Sequence, residues 1–386
     1  VIGNPPFGTE GIDLPIKKYL DSRKYAQEKV LAFLDKAVQF TNGDGQIALI
    51  FNTKVLTNTN KKYQNFRKWL FNETYVEKIY NLSIFRKAKK DFGGQLFNSA
   101  VVPISIVYYR KNKPENISET IEYCAPKTYV KSNVIDGLVI DSTDIKFLPR
   151  HECQKPDTKI WKIGMWGNLQ DFNLIMNLNN SKSNIDLSSY FEQNNWISGA
   201  GLNGDSQHKD FVPTPIIATK AIKRYYTPDN FAMLNCDYYR KINDSLFTPP
   251  FVILKKGQKE RQITASYIDY KAYCKSGAFI INKNDKQSDD IKKALVAFIN
   301  SNLATYYLFL SASSWGIERE QIFFNEYLEL PSFFLDNQDL NAVISLFDKL
   351  LAELKKDFPD KHLIEQIENA INAELYDVIG LTKKEQ

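Results

Sequence analysis

The first third of the chain alternates between apolar runs of strand length and amphipathic stretches of helical spacing. Residues 16–40 carry apolar side chains near helical spacing and end at a polar, glycine-containing segment, which predicts one helix followed by a turn. Strand-like runs lie at residues 46–51, 75–82 and 98–109, and a second helical stretch lies at residues 61–71. Strands that alternate with helices and end in two successive strands predict an α/β fold, the second half of a doubly wound sheet closing in a hairpin.

From about residue 151 the pattern changes to short β-like runs and then to helices. The β-like runs lie at residues 215–219, 251–254, 263–268 and 278–281, and residues 291–310 predict one helix. Two apolar stripes over residues 343–354 and 363–378, interrupted by Pro359, predict a helical hairpin, with a coiled-coil dimer as the alternative. We therefore expect three parts: an α/β half-sheet at residues 1–150, a mixed α+β domain at residues 151–335, and C-terminal helices at residues 336–386 that pack on that domain.

The chain opens with a short apolar strand end that runs into Asn4, Pro5, Pro6 and Phe7. Each proline fixes its own φ, has no N–H, and makes the preceding residue extended. The carbonyl oxygens of Asn4 and Pro5 are therefore presented without a competing backbone donor, and Asn4 adds a side-chain oxygen. Two acceptors can hold both hydrogens of an amino group, while Phe7 covers the face of the ring that carries it. The alternative is a Pro-Pro turn that only ends a buried strand.

Asn4-Pro5-Pro6-Phe7 resembles the catalytic tetrapeptide of amino-group DNA methyltransferases, which transfer a methyl group from S-adenosylmethionine to adenine N6 or cytosine N4. The asparagine form resembles the adenine-N6 enzymes. The resemblance implies that Asn4 and Pro5 bind the target amino group, that Phe7 stacks on a base flipped out of the duplex, and that Asn4 also contributes to cofactor binding. It further implies an antiparallel final strand in a Rossmann-like methyltransferase sheet.

In that family a second aromatic residue, before the last hairpin strand, grips the flipped base from the other side. Phe97 is the first candidate for this role and Phe92 the second. A core position at the start of a strand is the alternative for Phe97, because buried phenylalanines are common.

The cofactor-binding half of such a domain is expected upstream of Asn4, so we interpret the chain as the C-terminal portion of a longer protein. Gly199-Ala200-Gly201-Leu202-Asn203-Gly204 fits the pattern G-x-G-x-x-G. We expect a flexible loop there, because the pattern needs a strand before it, a helix after it and an acid about twenty residues on. Thr248-Pro249-Pro250-Phe251 repeats the prolines without the amide and is expected to be an extended edge segment.

Residues 151–335 resemble the target-recognition domain of restriction–modification enzymes, of the type IIG (Eco57I-like) or type I-like kind. The similar segments are Ile197-Ser198-Gly199, Pro250-Phe251-Val252-Ile253, Phe298-Ile299-Asn300-Ser301 and Leu328-Glu329-Leu330-Pro331. The resemblance implies that this part reads the sequence of double-stranded DNA, and it is compatible with a restriction or specificity subunit as a further partner.

The charge is uneven along the chain, whose formal net charge is +5. Residues 1–150 hold 23 basic and 15 acidic side chains, residues 151–335 hold 21 and 19, and residues 336–386 hold 6 and 11. Basic side chains interleaved with tyrosines suit phosphate and base contacts, whereas a solvated surface is the alternative. The candidate DNA-binding residues are Lys89, Lys90, Lys220, Lys223, Arg224, Arg240, Lys255, Lys256 and Arg261.

Composition limits the class of protein. A hydrophobic content of 43% and a charged content of 25% are typical of a soluble globular protein, and no apolar run has membrane-spanning length. The four cysteines are scattered and form no metal-ligand spacing with the three histidines, so we expect no metal site and a reducing cytoplasm.

The sequence thus predicts a site-specific DNA adenine-N6 methyltransferase of a restriction–modification system that uses S-adenosylmethionine. Three alternatives stay open. The parent protein is a fused methyltransferase–endonuclease with its nuclease upstream; or it methylates RNA or a protein glutamine, since those enzymes share the tetrapeptide; or these residues alone are a DNA-binding fragment that is inactive in isolation.

Overall fold

The computed structural model describes residues 1–87, 102–134, 136–180, 185–202, 216–229, 243–258, 261–336, 340–383 and 385. The chain divides into two units. Unit 1 comprises residues 1–173 and 310–319, and unit 2 comprises residues 174–309 and 320–386. The first division along the chain therefore falls later than the boundary at residue 150 that the change of pattern indicated.

Unit 1 is built on a six-stranded sheet. Its strands are β1 (Ile2–Gly3), β2 (Gln46–Asn52), β3 (Tyr75–Asn81), β4 (Ile104–Arg110), β5 (Thr120–Cys124) and β8 (Ile145–Pro149), and β6 (Thr128–Lys131) pairs separately with β7 (Asp136–Val139). Its helices are α1 (Leu14–Ser22), α2 (Lys29–Ala37), α3 (Lys54–Thr57), α4 (Lys61–Lys68), α5 (Ile84–Lys87), α6 (Arg150–Cys153), α7 (Lys159–Trp166) and the start of α8 (Leu169–Asn180).

The strand order is β1-β2-β4-β3-β5-β8. β1 is parallel to β2, and β4 lies antiparallel between β2 and β3, as expected for the end of a methyltransferase-like sheet. Leu49, Val107, Ile79 and Tyr123 lie side by side across four strands and are buried against the helices. The α/β fold class predicted from the alternation of apolar patterns is confirmed.

The predicted helix over residues 16–40 is wrong in one respect, because two helices occupy this range. The chain leaves α1 through Lys24, whose φ is +58°, and resumes as α2 at Lys29. Tyr25, between the helices, is buried and packs edge to face on Phe66 with the ring centroids 5.2 Å apart. The helix therefore breaks here so that the Tyr25 ring can be buried, although the apolar residues on both sides keep helical spacing.

Unit 1 continues past residue 150 because α7 completes its core. Ile160, Trp161 and Met165 are buried in the same apolar cluster as the sheet residues, and Trp161 stacks on Phe71 at 4.9 Å. The change of composition near residue 151 thus marks a change of secondary structure within the unit.

Unit 2 contains the strands β9 (Ile197–Ala200), β10 (Ile216–Ile217), β11 (Tyr225–Tyr226), β12 (Phe251–Lys255), β13 (Ala265–Ile268), β14 (Tyr273–Cys274) and β15 (Ala278–Asn282). They form a five-stranded sheet of order β11-β13-β12-β15-β9 and a separate pair, β10 with β14. The helices are the end of α8, then α9 (Leu187–Gln193), α10 (Asp289–Ile299), α11 (Asn302–Ser311), α12 (Phe324–Leu328), α13 (Asn341–Leu354) and α14 (Lys361–Ile379).

The single helix expected over residues 291–310 is also divided. α10 and α11 meet at an angle of 63° across Asn300 and Ser301. The Asn300 side chain accepts a hydrogen bond from the backbone N–H of Ala265 at 3.0 Å and donates one to its carbonyl at 2.8 Å. This side chain is committed to β13, which fixes where the first helix ends.

The two C-terminal helices form the expected pair. Val343, Phe347 and Leu350 of α13 are buried, as are Ile371 and Leu375 of α14, and α13 also packs against α10. Within the described ranges no helix by itself has the length and apolar character needed to cross a membrane, and one bent pair, residues 286–299 with 302–311, meets the criterion by length and composition only.

Candidate active site and nucleic-acid interface

The Asn4–Phe7 turn lies at the carboxyl end of β1. Ile2 and Gly3 pair in parallel with Ala48 and Leu49 of β2, and a Cβ at Gly3 would lie 3.0 Å from Leu49 Cδ2. Glycine therefore lets β1 lie close against its neighbour just before the turn. Ligands of open α/β sheets bind at this edge, outside the carboxyl ends of the strands.

The four residues of the turn divide between core and surface. Pro5 is buried, whereas Asn4 and Pro6 are exposed. Phe7 is half-buried and packs against the core of unit 1. Gly8 follows with a φ of +99°, and its carbonyl accepts a hydrogen bond from the N–H of Lys29 at 3.4 Å. The turn is thus anchored by Pro5 and Phe7, and the Asn4 carboxamide is accessible at the sheet edge.

A buried polar network lies at the same edge and was not anticipated from the sequence. The Thr53 hydroxyl, just after β2, lies 2.8 Å from the Ser105 hydroxyl in β4 and 3.0 Å from the Ser83 hydroxyl. Ser83 donates its one hydroxyl proton to Asn81 Oδ1 at 2.6 Å, and Asn81 Nδ2 donates to the Tyr123 hydroxyl at 2.7 Å. The signal in the sequence is a small polar residue just after β2 (Thr53), just after β3 (Ser83) and at the start of β4 (Ser105).

This network joins the flanks of the segment that holds the proposed second aromatic clamp. β3 ends at Asn81 and β4 begins at Ile104, which pairs with Asn52 at the carboxyl end of β2. Both flanks therefore lie at the edge where Asn4 lies. Phe97 and Phe92, with Lys89 and Lys90, lie outside the described residues, and their roles stay predictions.

A second unanticipated cluster consists of Glu28, Lys54 and Tyr63. Glu28 precedes α2 and is 1% exposed, and its carboxylate forms an ion pair with the Lys54 ammonium. Burial raises the pKa of the Glu28 carboxyl, and Lys54 and Tyr63 offset only part of that effect. Burial, together with the Glu28 charge, raises the pKa of the Tyr63 phenol to about 12. The cluster is built from α2, α3 and α4 beside the carboxyl edge.

In unit 2, several basic residues lie at one end of the five-stranded sheet. At this end β12 finishes at Lys255, and its antiparallel neighbours β13 and β15 begin. Lys256 comes next, and its N–H donates to the Gly277 carbonyl at 3.0 Å. Arg261 is exposed in the connection from β12 to β13.

Three more lysines extend this group, which we call the basic end: Lys220, Lys223, Lys255, Lys256, Arg261 and Lys275. Lys220 is exposed beside Thr219, whose Oγ1 would lie 2.7 Å from a Cβ at Gly277. Lys223 is exposed just before β11, which pairs with the start of β13. Lys275 was not among the residues predicted from the sequence. It lies at the basic end because of the turn that leads into β15. Five of the predicted DNA-binding residues thus lie at one end of one sheet.

Arg224 differs from its neighbours, because its guanidinium is bound within unit 2. It forms an ion pair with Glu368 at 3.0 Å, donates to the Asn300 carbonyl at 2.9 Å, and lies 5.0 Å from the ring centre of Tyr225. These contacts favour a structural role over a phosphate contact. Arg240 lies outside the described residues.

The glycine run that begins at Gly199 and the proline segment that begins at Thr248 both take conformations other than the expected ones. Gly199 and Ala200 are paired in β9, and a Cβ at Gly201 would lie 2.3 Å from the Lys275 carbonyl oxygen. Glycine is therefore needed for close backbone packing, and the expectation of a flexible loop is wrong for residues 199–202. Gly204 lies outside the described residues.

Phe251 begins β12, which pairs with β13 and β15 on its two sides, so the expected edge segment is in fact central. Pro249 and Pro250 precede the paired residues of β12, so their missing N–H groups remove no hydrogen bond from the sheet. Thr248 and Pro250 line a cavity of about 540 Å³ together with Tyr267, Asp269 and Lys292. This cavity lies at the end of the sheet opposite the basic end.

Comparison with known proteins supports the resemblance. Residues 1–86 match the Eco57I restriction-modification methylase family model. No curated protein sequence matches the chain. The structure is similar to that of MmeI, a Type IIL restriction-modification enzyme solved in complex with DNA, with a TM-score of 0.52 and 9% identity over 99% of this chain and 54% of that one.

Two further structures are similar at lower scores. The type IIG restriction endonuclease BpuSI has a TM-score of 0.37 and 12% identity, over 98% of this chain and 53% of that one. The DrdV–DNA complex has a TM-score of 0.46 and 11% identity, over 91% of this chain and 44% of that one. The chain spans about half the length of these enzymes. The predicted resemblance to restriction–modification methyltransferases is confirmed at the level of the N-terminal family match and the fold.

Proposed function

We propose that the protein containing this chain is a site-specific DNA adenine-N6 methyltransferase of a restriction–modification system. The observation that carries the proposal is the position of Asn4-Pro5-Pro6-Phe7 at the carboxyl end of β1, in a sheet of order β1-β2-β4-β3 with an antiparallel β4. The match of residues 1–86 to the Eco57I restriction-modification methylase family supports it.

The turn would accelerate the reaction by binding the transition state more tightly than the free base. Adenine N6 is a poor nucleophile because its lone pair is delocalised into the ring. The oxygens of Asn4 and Pro5 would hold its two hydrogens and favour a pyramidal nitrogen, a geometry closer to the transition state than to the free base. Phe7 would cover one face of the flipped base, and Pro5 and Phe7 fix the turn by packing inward. The sulfonium would leave as a neutral thioether and one N6 proton would pass to solvent, so the attack itself would not require a general base.

S-adenosylmethionine would supply the methyl group as an electrophile. Among the described residues we assign Asn4 to it, because the Asn4 side chain is exposed at the carboxyl edge of β1, where open sheets bind their ligands.

Unit 2 would hold the DNA duplex through the basic end. Its six cations meet the requirement for phosphate contacts, which dominate the affinity of DNA-binding proteins and make it salt-dependent. Lys223 and Arg261 are exposed.

The proposal is tested by Asn4→Ala in the full-length protein, expressed in a bacterial host that lacks adenine methylation. Sequencing of modified bases in the host DNA identifies the methylated motif, and a duplex with that motif then serves for kinetics. Asn4→Ala is expected to lower kcat by about a hundredfold or more, because an acceptor for the amino group is removed. Asn42→Ala, a substitution of an exposed asparagine in the turn before β2, is the matched control. Undiminished methylation by Asn4→Ala, or methylation of cytosine, would contradict the proposal.

A DNA-binding fragment that is inactive alone is the second interpretation of these residues. This interpretation is compatible with the proposal, and calorimetric titration of the isolated chain with S-adenosylmethionine tests it. We expect no tight binding, since the Gly199–Leu202 run is used for backbone packing. Tight binding would contradict this expectation and place a cofactor site within these residues.

A further inference from the structure

The Glu28–Lys54 ion pair satisfies only one oxygen of a buried carboxylate. One carboxylate oxygen of Glu28 is paired with the Lys54 ammonium, and the other has no hydrogen-bond partner among the described residues. The groups that face this carboxylate are Lys54, Tyr63 and the like-charged Glu318. A buried charge is costly unless it is paired, so the position of Lys54 is constrained by Glu28 and the reverse.

The two partners hold two segments that flank the Asn4–Phe7 turn. Glu28 immediately precedes Lys29, whose N–H donates to the Gly8 carbonyl at the end of the turn. Lys54 comes two residues after Asn52, and its own N–H donates to Asn52 Oδ1 at 3.0 Å. Asn52 is the last residue of β2, the strand that pairs with β1. The ion pair therefore joins the start of α2, where Lys29 binds the end of the turn, to the carboxyl end of β2, which lies beside the beginning of the turn.

We propose that Glu28 and Lys54 are positioning residues for the Asn4–Phe7 turn, fixing the start of α2 relative to the carboxyl end of β2 so that the turn is presented in one geometry. This inference rests on the proposed function for its kinetic consequence and on the structure alone for its effect on the turn. Holding the acceptors in place before the substrate arrives is what makes them effective, because misplacement by about 1 Å can cost about a hundredfold in rate.

The test compares this pair with a second buried ion pair of similar exposure. Lys127 pairs with Asp144 at 2.8 Å, with side-chain exposures of 28% and 3%, against 26% for Lys54 and 1% for Glu28. Lys127 follows β5, which lies beyond β2, β4 and β3 in the sheet when counted from β1. Glu28→Gln and Lys54→Met are therefore matched by Asp144→Asn and Lys127→Met, and Lys54→Arg, which keeps the cation, serves as the conservative variant.

The first readout is hydrogen exchange in this chain, which needs neither DNA nor the methyl donor. We expect Glu28→Gln and Lys54→Met to speed exchange of the Lys29 amide, which donates to the Gly8 carbonyl, about tenfold, by raising the population of locally open forms. The Lys127 and Asp144 variants, at an equal loss of Tm, are expected to leave the Lys29 amide unchanged. Equal exchange in all variants would overturn the proposal.

The second readout is kinetic, in the full-length protein with a duplex that carries its methylated motif. We expect Glu28→Gln and Lys54→Met to lower kcat about tenfold or more with little change in KM for DNA, and Lys54→Arg to restore most of it. A 2-aminopurine at the target position reports flipping through its fluorescence, which should fall with kcat. A loss that appears equally in the control pair, or as KM alone, would overturn the positioning role. If exchange changes as expected but the wild-type protein methylates no DNA, the proposed function fails and the effect on the turn stands.

Discussion

The hydroxyl oxygens of Thr53 and Ser105 lie 2.8 Å apart in the core of unit 1, although 52 positions separate them in the sequence. Both residues are fully buried. Their contact joins the carboxyl end of β2 to the start of β4, at the sheet edge that also presents Asn4. A buried polar network stabilises the fold most when every donor and acceptor in it has a hydrogen-bond partner.

Removing the Thr53 hydroxyl should therefore destabilise unit 1. Thr53→Val leaves the hydroxyls of Ser83 and Ser105 without this partner, and we expect a loss of about 1–3 kcal/mol in the free energy of unfolding. Thr57→Val, at a buried residue outside this network, is the control and should cost less. Urea unfolding of the three proteins measures the difference, and an equal loss in both variants would contradict the network's role.

Gly201 should be intolerant of a side chain. A Cβ at this position would lie 2.3 Å from the Lys275 carbonyl oxygen and 2.6 Å from that of Cys274, both of them backbone atoms that cannot move aside cheaply. We expect Gly201→Ala to lower stability by at least about 1–3 kcal/mol. Gly257→Ala, where no atom lies within 4 Å of the added Cβ, should be nearly neutral. Thermal unfolding checks both, and similar Tm values for the two variants would show that β9 lies elsewhere.

The basic end should determine the salt dependence of DNA binding. For Lys220→Ala, Lys256→Ala and Lys275→Ala we expect weaker binding, and the removal of each phosphate-binding cation should reduce the slope of log K against log salt by about 1. Lys286→Ala is the control, because Lys286 lines the cavity at the opposite end of the sheet. Fluorescence anisotropy of a labelled duplex over a salt series measures the slopes. Equal slopes for all four variants would place the duplex elsewhere.

Arg224 provides a contrast with these lysines. Arg224→Ala breaks the ion pair with Glu368 and the hydrogen bond to Asn300, so we expect a lower Tm with an unchanged salt slope. Glu368→Gln should lower the Tm in the same direction. A reduced slope at unchanged Tm would return Arg224 to the DNA contacts predicted from the sequence.

Tyr63 should contribute to the loss of stability at high pH. Its pKa is raised to about 12 in the folded protein, mainly by burial, whereas the unfolded chain releases the proton near pH 10. Above pH 10 the unfolded state therefore binds fewer protons than the folded state, and stability falls as the pH rises to about 12. Tyr63→Phe should make the decline in this window shallower by about 1.4 kcal/mol per pH unit. Urea unfolding at pH 7 and across this window separates this effect from any general destabilisation, and identical slopes would contradict it.

The sequence was most informative where local pattern and backbone chemistry coincide. The apolar runs predicted β2, β3, β12, β13 and β15 within a few residues, and the tetrapeptide indicated a strand that ends just before Asn4. It was wrong where one side chain has a distant partner. Tyr25 leaves the helical pattern to pack on Phe66, and Asn300 ends α10 by binding the backbone of Ala265.

The basic residues show the same division. Their residue types and number were evident from the sequence, but the neighbours Lys223 and Arg224 differ in their contacts: Lys223 is exposed, whereas Arg224 binds Glu368, 144 residues further along the chain. Lys275 joins the basic end through the turn that leads into β15, a pairing that no local pattern indicates.

The sequence by itself determined the half-sheet, the turn that follows its first strand, and the chemistry which that turn suggests. These features depend on the period of apolar side chains and on the fixed φ of proline, both properties of neighbouring residues. Only the tertiary structure decided that Glu28 faces Lys54, that Thr53 faces Ser105, and that the six cations of the basic end share one end of a sheet. Such contacts join residues far apart in the chain, and they follow from strand order and register, which depend on packing of the whole unit.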